Sequence, residues 1–174
     1  MPIEAIYPPA PGCLFFALLW NSRLVKLEDI KTRLIQQWGT LKDEFFPHEF
    51  SMTRYYQKEM GAYLKRCFFL IEGEFSRGSH IFIKKRAMEL ERQFAIKGYR
   101  TVNVDPGLIC LEQLLLISTK PYSHRIYVGE NLYVELCYQF SNGHYHILPW
   151  TYPDYSNKKV IEKFEEWRKH IPRH

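Results

Sequence analysis

Closely spaced cysteines are missing from this sequence: Cys13, Cys67, Cys110 and Cys137 form no CxxC pair and no Cys/His spacing of the zinc-finger kind. Each sits in an apolar or strand-patterned run, so all four are expected to be buried free thiols, in a reducing, cytoplasmic setting. Long apolar runs are missing too. The stretch Leu14 to Trp20 is too short for a secretory signal with its flanks and far below the roughly 20 residues that span a bilayer, so neither secretion nor a membrane partner is expected. GxxxxGK[ST], GxGxxG, HExxH and GxSxG runs are absent, which removes the commonest nucleotide, zinc-protease and hydrolase signatures. Internal repeats, linkers and low-complexity tracts are also lacking.

What is there is an ordinary globular mix. The 174 residues are 46% hydrophobic and 25% charged, which suits one folded domain. Aromatic residues are abundant at 16%, and a net charge of +5 permits anionic partners without requiring them.

Residues 1–12, with four prolines and a glycine, read as an irregular lead-in. Leu14 to Trp20 reads as a central strand buried on both faces. Leu27, Ile30, Leu34, Ile35 and Trp38 recur at helical spacing, with Gly39 placed to end the helix. The aromatic and β-branched run His48 to Tyr56 and the run Arg66 to Glu72 read as two further strands. Ser79 is the natural N-cap of a helix through Ile83, Ala87, Leu90 and Phe94 to Gly98. A strand at Thr101 to Val104 is then broken by Asp105-Pro106-Gly107, a turn signal. The order β-α-β-β-α-β over 13–107 is the split arrangement of ferredoxin-like sandwiches, so the expected class is α+β with a ferredoxin-like core.

Residues 108–174 complete the same single domain with an antiparallel meander and a terminal helix. Leu108 to Ile117 is almost wholly apolar, and its period does not separate a short helix from a strand. Strands follow at Arg125 to Val128, Leu132 to Phe140 and His144 to Leu148, the last two joined by the two-residue turn Asn142-Gly143. That turn sets Ser141 opposite His144, Gln139 opposite His146 and Tyr138 opposite Ile147. Strict alternation then gives a packed face with Leu132, Val134, Leu136, Tyr138, Phe140, Tyr145 and Ile147. The other face, with Glu135, Gln139, His144 and His146, is expected to be wet or functional. Val160, Phe164, Trp167 and Ile171 mark the last helix, with Asp154 and Ser156 as rival caps.

The densest polar grouping is Ser118 to Arg125, where Lys120 and Arg125 suit phosphate or carboxylate, Thr119 and Ser123 offer hydroxyls and His124 can move a proton. Asp105 is either a turn-capping residue or an acid with a chemical role. Glu135, mid-strand between apolar neighbours, must be paired or face a cleft. His144 and His146 share a strand face but lack an obvious third ligand, so no metal site is assigned. Basic clusters at Lys84-Lys85-Arg86 and Lys97 to Arg100, with the Arg54 to Gly61 cluster, leave an RNA-binding reading open, although no RNP-like run occurs.

Four segments in order resemble one family: Tyr55-Tyr56-x-x-Glu59-Met60-Gly61 with Leu64-Lys65-Arg66; Val102 to Gly107; Thr119-Lys120 with His124-Arg125-Ile126-Tyr127; and Pro149 to Tyr155. They are similar to the bacterial family catalogued as domain of unknown function 4416, over about Leu14 to Trp167. The resemblance implies a small cytoplasmic bacterial protein and carries over no activity, cofactor or partner. Its recurring polar positions would be Tyr56, Glu59, Lys65, Arg66, Asp105, Thr119, Lys120, His124, Arg125, Tyr127, Glu135, Trp150, Asp154 and Tyr155; Ser118 departs from an expected Thr. The expected function is a pocket for an anionic or phosphorylated small molecule such as a nucleotide, in which Asp105, His124 and Glu135 are the catalytic candidates. RNA binding and a structural, protein-interaction module are the alternatives.

Overall fold

The structure, a computed structural model, describes residues 8–47 and 54–172. Most of the lead-in, residues 1–7, lies outside the described residues, as does most of the strand expected at His48 to Tyr56.

The run CLFFALLWN has no polar side chain before its last position, so neither face can be left to water; β1 (Cys13–Asn21) is buried at all nine positions. Its neighbours are β3 (Leu64–Ile71) and β4 (Val102–Ile109), both antiparallel to it. Alternate β1 residues feed two cores. Leu14, Phe16, Leu18 and Trp20 pack with α1 (Leu27–Trp38) through Ile30 and Leu34, and with α3 (His80–Gln93) through Ile83, Ala87 and Leu90. Cys13, Phe15 and Ala17 pack on the opposite face with α4 (Lys158–Arg168) through Val160, Phe164 and Trp167. Burying a side chain of this size contributes about 1.5–3 kcal/mol. The four cysteines are buried and free.

The molecule is α+β, with one open, eight-stranded, antiparallel sheet among the described residues. The order is β2-β3-β1-β4-β5-β7-β6, with β8 beside β7. Here β2 is Leu41–Phe45, β5 Gln113–Ser118, β6 Arg125–Gly129, β7 Leu132–Ser141 and β8 His144–Ile147. The Asn142-Gly143 hairpin has the derived register, Tyr138 to Ile147, Gln139 to His146 and Ser141 to His144. Among the described residues no helix is long and apolar enough to cross a membrane.

Several sequence expectations are corrected. The second strand is the polar segment β2, held by Asp43, which accepts from Lys163 and the Trp167 indole of α4; Arg54–Met60, at the end of the run read as a strand, is helix α2. Asp105-Pro106-Gly107 is no turn, since β4 runs straight through it against β1. The apolar stretch 108–117 is the end of β4, a tight connection and the start of β5. Ser79 makes no side-chain cap; Ser76 caps a short 3-10 turn ahead of α3. The α3 helix ends at Gln93, short of Gly98. Asn157 caps α4 by accepting from the Lys159 N–H, so neither Asp154 nor Ser156 does.

Candidate functional site

The β4–β5 ladder is short. It pairs Ile109 with Leu114, Leu108 with Leu115 and Gly107 with Leu116, and stops there. The next residue of β4 is Pro106, which has no N–H to give. Beyond it β4 continues along β1 to Val102 while β5 continues along β7 to Ser118, so the two strands part. The exposed backbone of β4 must find other partners. Helix α3 supplies them: the Val104 N–H donates to Glu91 Oε1 at 2.7 Å, and Lys84 Nζ donates to the Val104 carbonyl at 3.3 Å.

The parted strands open a cleft of about 490 Å³. Its α3 wall carries Lys84, Met88 and Glu91, at the i, i+4 and i+7 positions of one helix face. Tyr56 of α2 and Arg66 of β3 close one side, and Asp105 stands on β4. Arg100, the segment Leu116–Lys120, Tyr122, Arg125 and the loop residues Tyr152 to Tyr155 form the remainder.

Ion pairs run through these walls. Arg66 meets Asp154 at 2.7 Å and Lys84 meets Asp105 at 3.2 Å. Arg100 grips Glu59 with two nitrogens, at 2.7 and 2.6 Å, and donates to Asn103 Oδ1, whose amide donates in turn to Asp105 Oδ2. Burial alone would push Asp105 up, but Lys84, Arg66 and the Asn103 amide together hold it below its usual 3.8. Burial pushes Glu91 up, against the pull of Lys84, the Val104 N–H and Arg100.

A depressed carboxyl gives stability that is present above its unfolded pKa and is lost as pH falls through the folded value. Asp105→Asn is therefore expected to be less stable than wild type at about pH 6, with the gap closing as pH drops below 3.8. Urea unfolding of both proteins across that range checks it; a gap that stays constant or widens would contradict the ion pair.

Behind the cleft wall lies a second buried cluster. Glu135 is 0% exposed, and its Oε2 accepts from Arg125 Nε at 2.6 Å and lies 3.2 Å from His124 Nε2. The other Arg125 nitrogens donate to the Ser118 hydroxyl, the Lys120 carbonyl and the Tyr152 hydroxyl, and the Tyr122 ring lies 4.5 Å from the guanidinium carbon. His124 stacks on Trp150, with ring centroids 5.4 Å apart. The strict alternation that put Glu135 on a wet face fails at a bulge in β7. Leu114 pairs with Tyr138 and Leu116 with Glu135, so the extra residue puts Glu135 on the same face as Tyr138.

Of the residues singled out from the sequence, Tyr56, Arg66, Asp105, Thr119, Lys120, Arg125, Asp154 and Tyr155 line the cleft. Glu59 acts through Arg100, and His124, Glu135 and Trp150 stand behind Arg125. Lys65 is exposed on β3, and Tyr127 is exposed on the outer strand β6, its ring against Tyr133. His144 and His146 are exposed, and no metal-holding group of side chains occurs among the described residues. Lys84 and Arg100, which the sequence assigns to outward basic clusters, face the cleft, as does Glu91. The Lys84, Met88, Glu91 spacing beside the apolar stripe Ile83, Ala87, Leu90 is the signal that could have found two of them.

A family model described as a domain of unknown function (DUF4416) matches residues 10–170. No curated protein and no solved structure matches the chain.

Proposed function

The chain belongs to the DUF4416 family, whose description carries no activity, and we propose from the site itself that it binds an anionic small molecule of nucleotide size in the cleft between β4 and β5. One observation carries the reading. Five cationic side chains, Arg66, Lys84, Arg100, Lys120 and Arg125, reach one cleft from separate parts of the chain and outnumber its three acidic residues, Glu91, Asp105 and Asp154. Glu59 and Glu135, behind the lining, balance Arg100 and Arg125, so the reading rests on the cationic N–H donors gathered at the cleft surface and not on a net charge. Tyr56, Tyr122 and Tyr152 add ring faces on which a flat group can stack, and about 490 Å³ is an ordinary ligand volume. His124 and Glu135 serve the site by holding Arg125 in place.

The half of the chain that carries β1 to β4 supports a ferredoxin-like reading, because its strands lie in the order β4-β1-β3-β2 with every pair antiparallel. Buried free thiols support the reading of a protein in a reducing, cytoplasmic setting.

Calorimetric titration of the wild-type protein with nucleotides and phosphorylated sugars tests the function. Saturable binding is expected, weakened about ten-fold, or about 1.4 kcal/mol, in Lys120→Ala. No binding by any of these compounds would remove the reading. Tighter binding of single-stranded RNA that falls steeply with salt would replace it with RNA recognition.

A further inference from the structure

The Tyr155 side chain is 1% exposed and lines the cleft, yet its hydroxyl has no hydrogen-bond partner among the described residues. Its neighbour shows the normal arrangement. Tyr138, whose ring centroid lies 6.3 Å away, donates its hydroxyl to the Tyr155 carbonyl. Buried hydroxyls are rarely left unpaired, because an unmet one costs free energy that a phenylalanine would not. The ring itself needs no oxygen for its packing, which is edge-on against Phe68 at 5.5 Å and stacked on Phe164 at 5.9 Å. The hydroxyl is therefore unexplained by the fold.

The surroundings define what could meet it. The two carboxylates of the cleft floor already have cations, Asp154 on Arg66 and Asp105 on Lys84. Burial pushes the Tyr155 phenol well up, so it keeps its proton and can donate. The Arg66 guanidinium, held by Asp154 at 2.7 Å, lies 5.9 Å from the Tyr155 ring and brings charged N–H donors to the same place. Toward the mouth the character changes, with Tyr122 and Tyr152 48% and 38% exposed. Donors and charge lie deep, and ring faces lie outside.

Resting on the function proposed above, we infer that the ligand enters with an oxyanion foremost, and that Tyr155 donates a hydrogen bond to it on the floor while the ligand's flat part stays among the rim tyrosines. The ligand class is then a phosphomonoester with a ring system, and Tyr155 is a specificity-determining residue for its phosphate.

Tyr155→Phe is the test, with Tyr138→Phe as the reference for a hydroxyl that the fold does use. The probes are the four common ribonucleoside monophosphates, their parent nucleosides and inorganic phosphate. Without ligand, Tyr155→Phe is expected to melt at or above the wild-type temperature and Tyr138→Phe below it. With ligand, Tyr155→Phe is expected to bind the monophosphates and phosphate about ten-fold more weakly and the nucleosides unchanged, the usual effect of losing one bond to a charged acceptor. Three results would overturn the inference: unchanged monophosphate binding, an equal loss for nucleosides, or a melting temperature well below wild type. Wild-type protein that binds none of the probes would instead remove the underlying function, which distinguishes the two failures.

Discussion

Glu135→Leu is expected to lower the free energy of unfolding by about 3–5 kcal/mol, read as a lower urea midpoint at an unchanged slope. The cause is what the substitution strands. The Arg125 side chain is 3% exposed, and Glu135 is the carboxylate within reach of its Nε. Leucine fills the space but leaves a guanidinium out of water without a counter-charge, which is the costly half of a buried pair. His124 loses its carboxylate partner with it, and Cys137 keeps only the backbone carbonyl of residue 135.

The same variant is expected to abolish ligand binding, because Arg125 ties together Ser118, the Lys120 carbonyl and Tyr152, three separate pieces of the cleft wall. Adding Arg125→Met should separate the two effects. The double variant removes the stranded charge and is expected to recover most of the stability, as apolar replacements of buried pairs generally do. It should not recover binding, since the wall has lost its tie and the ligand one of its cations. A Glu135→Leu loss below about 1 kcal/mol would mean that the pair does not brace the wall. Binding recovered in the double variant would mean that Arg125 plays no part in the site.

The sequence makes some of this readable, and the boundary has physical causes. Strand β1, helix α1 and the hairpin register follow from local pattern, because apolar period and turn chemistry act within a few residues. Strand β2 does not, since LKDEF has almost no strand signal and is recruited by Lys163 and Trp167 more than a hundred residues away. The Asp-Pro-Gly motif misleads for a related reason: the turn chemistry is real, but strand β1 on one side keeps β4 extended, and proline's missing N–H acts on the other side by ending a ladder. The residues of the Thr119 to Arg125 loop and the last loop were readable as polar groups embedded in apolar runs. Lys84 and Glu91 were not, because a charged helix position reads as solvated until a bare strand edge is known to lie against it. Asp154 reads as a helix cap until Asn157 takes that duty and leaves it to pair with Arg66.

The strand parting that makes the cleft depends on a close approach just before it, and Gly107→Ala is expected to show this with a loss of about 3 kcal/mol. A Cβ built on Gly107 would lie 2.3 and 2.4 Å from two carbons of the Phe15 ring and 2.5 Å from the Leu115 carbonyl oxygen. Neither neighbour can yield cheaply. Phe15 is fully buried and packed edge-on against Phe164 at 4.7 Å, and the Leu115 oxygen belongs to the backbone of the next strand. The way out is for β5 to move off β4, which breaks a ladder only three residue pairs long. Hydrogen exchange should therefore speed up along β5 before it does along β1 and β3, and ligand binding should fall with it, because Leu116 to Ser118 of the displaced strand line the cleft. Gly78→Ala serves as the reference, since a Cβ there meets nothing closer than the Ser76 hydroxyl at 3.6 Å, and its effect is expected to stay within about 0.5 kcal/mol. A Gly107→Ala protein as stable as Gly78→Ala, with β5 amides still protected, would show that β4 and β5 can separate without cost, and the cleft would then owe its shape to something other than the point where their ladder ends.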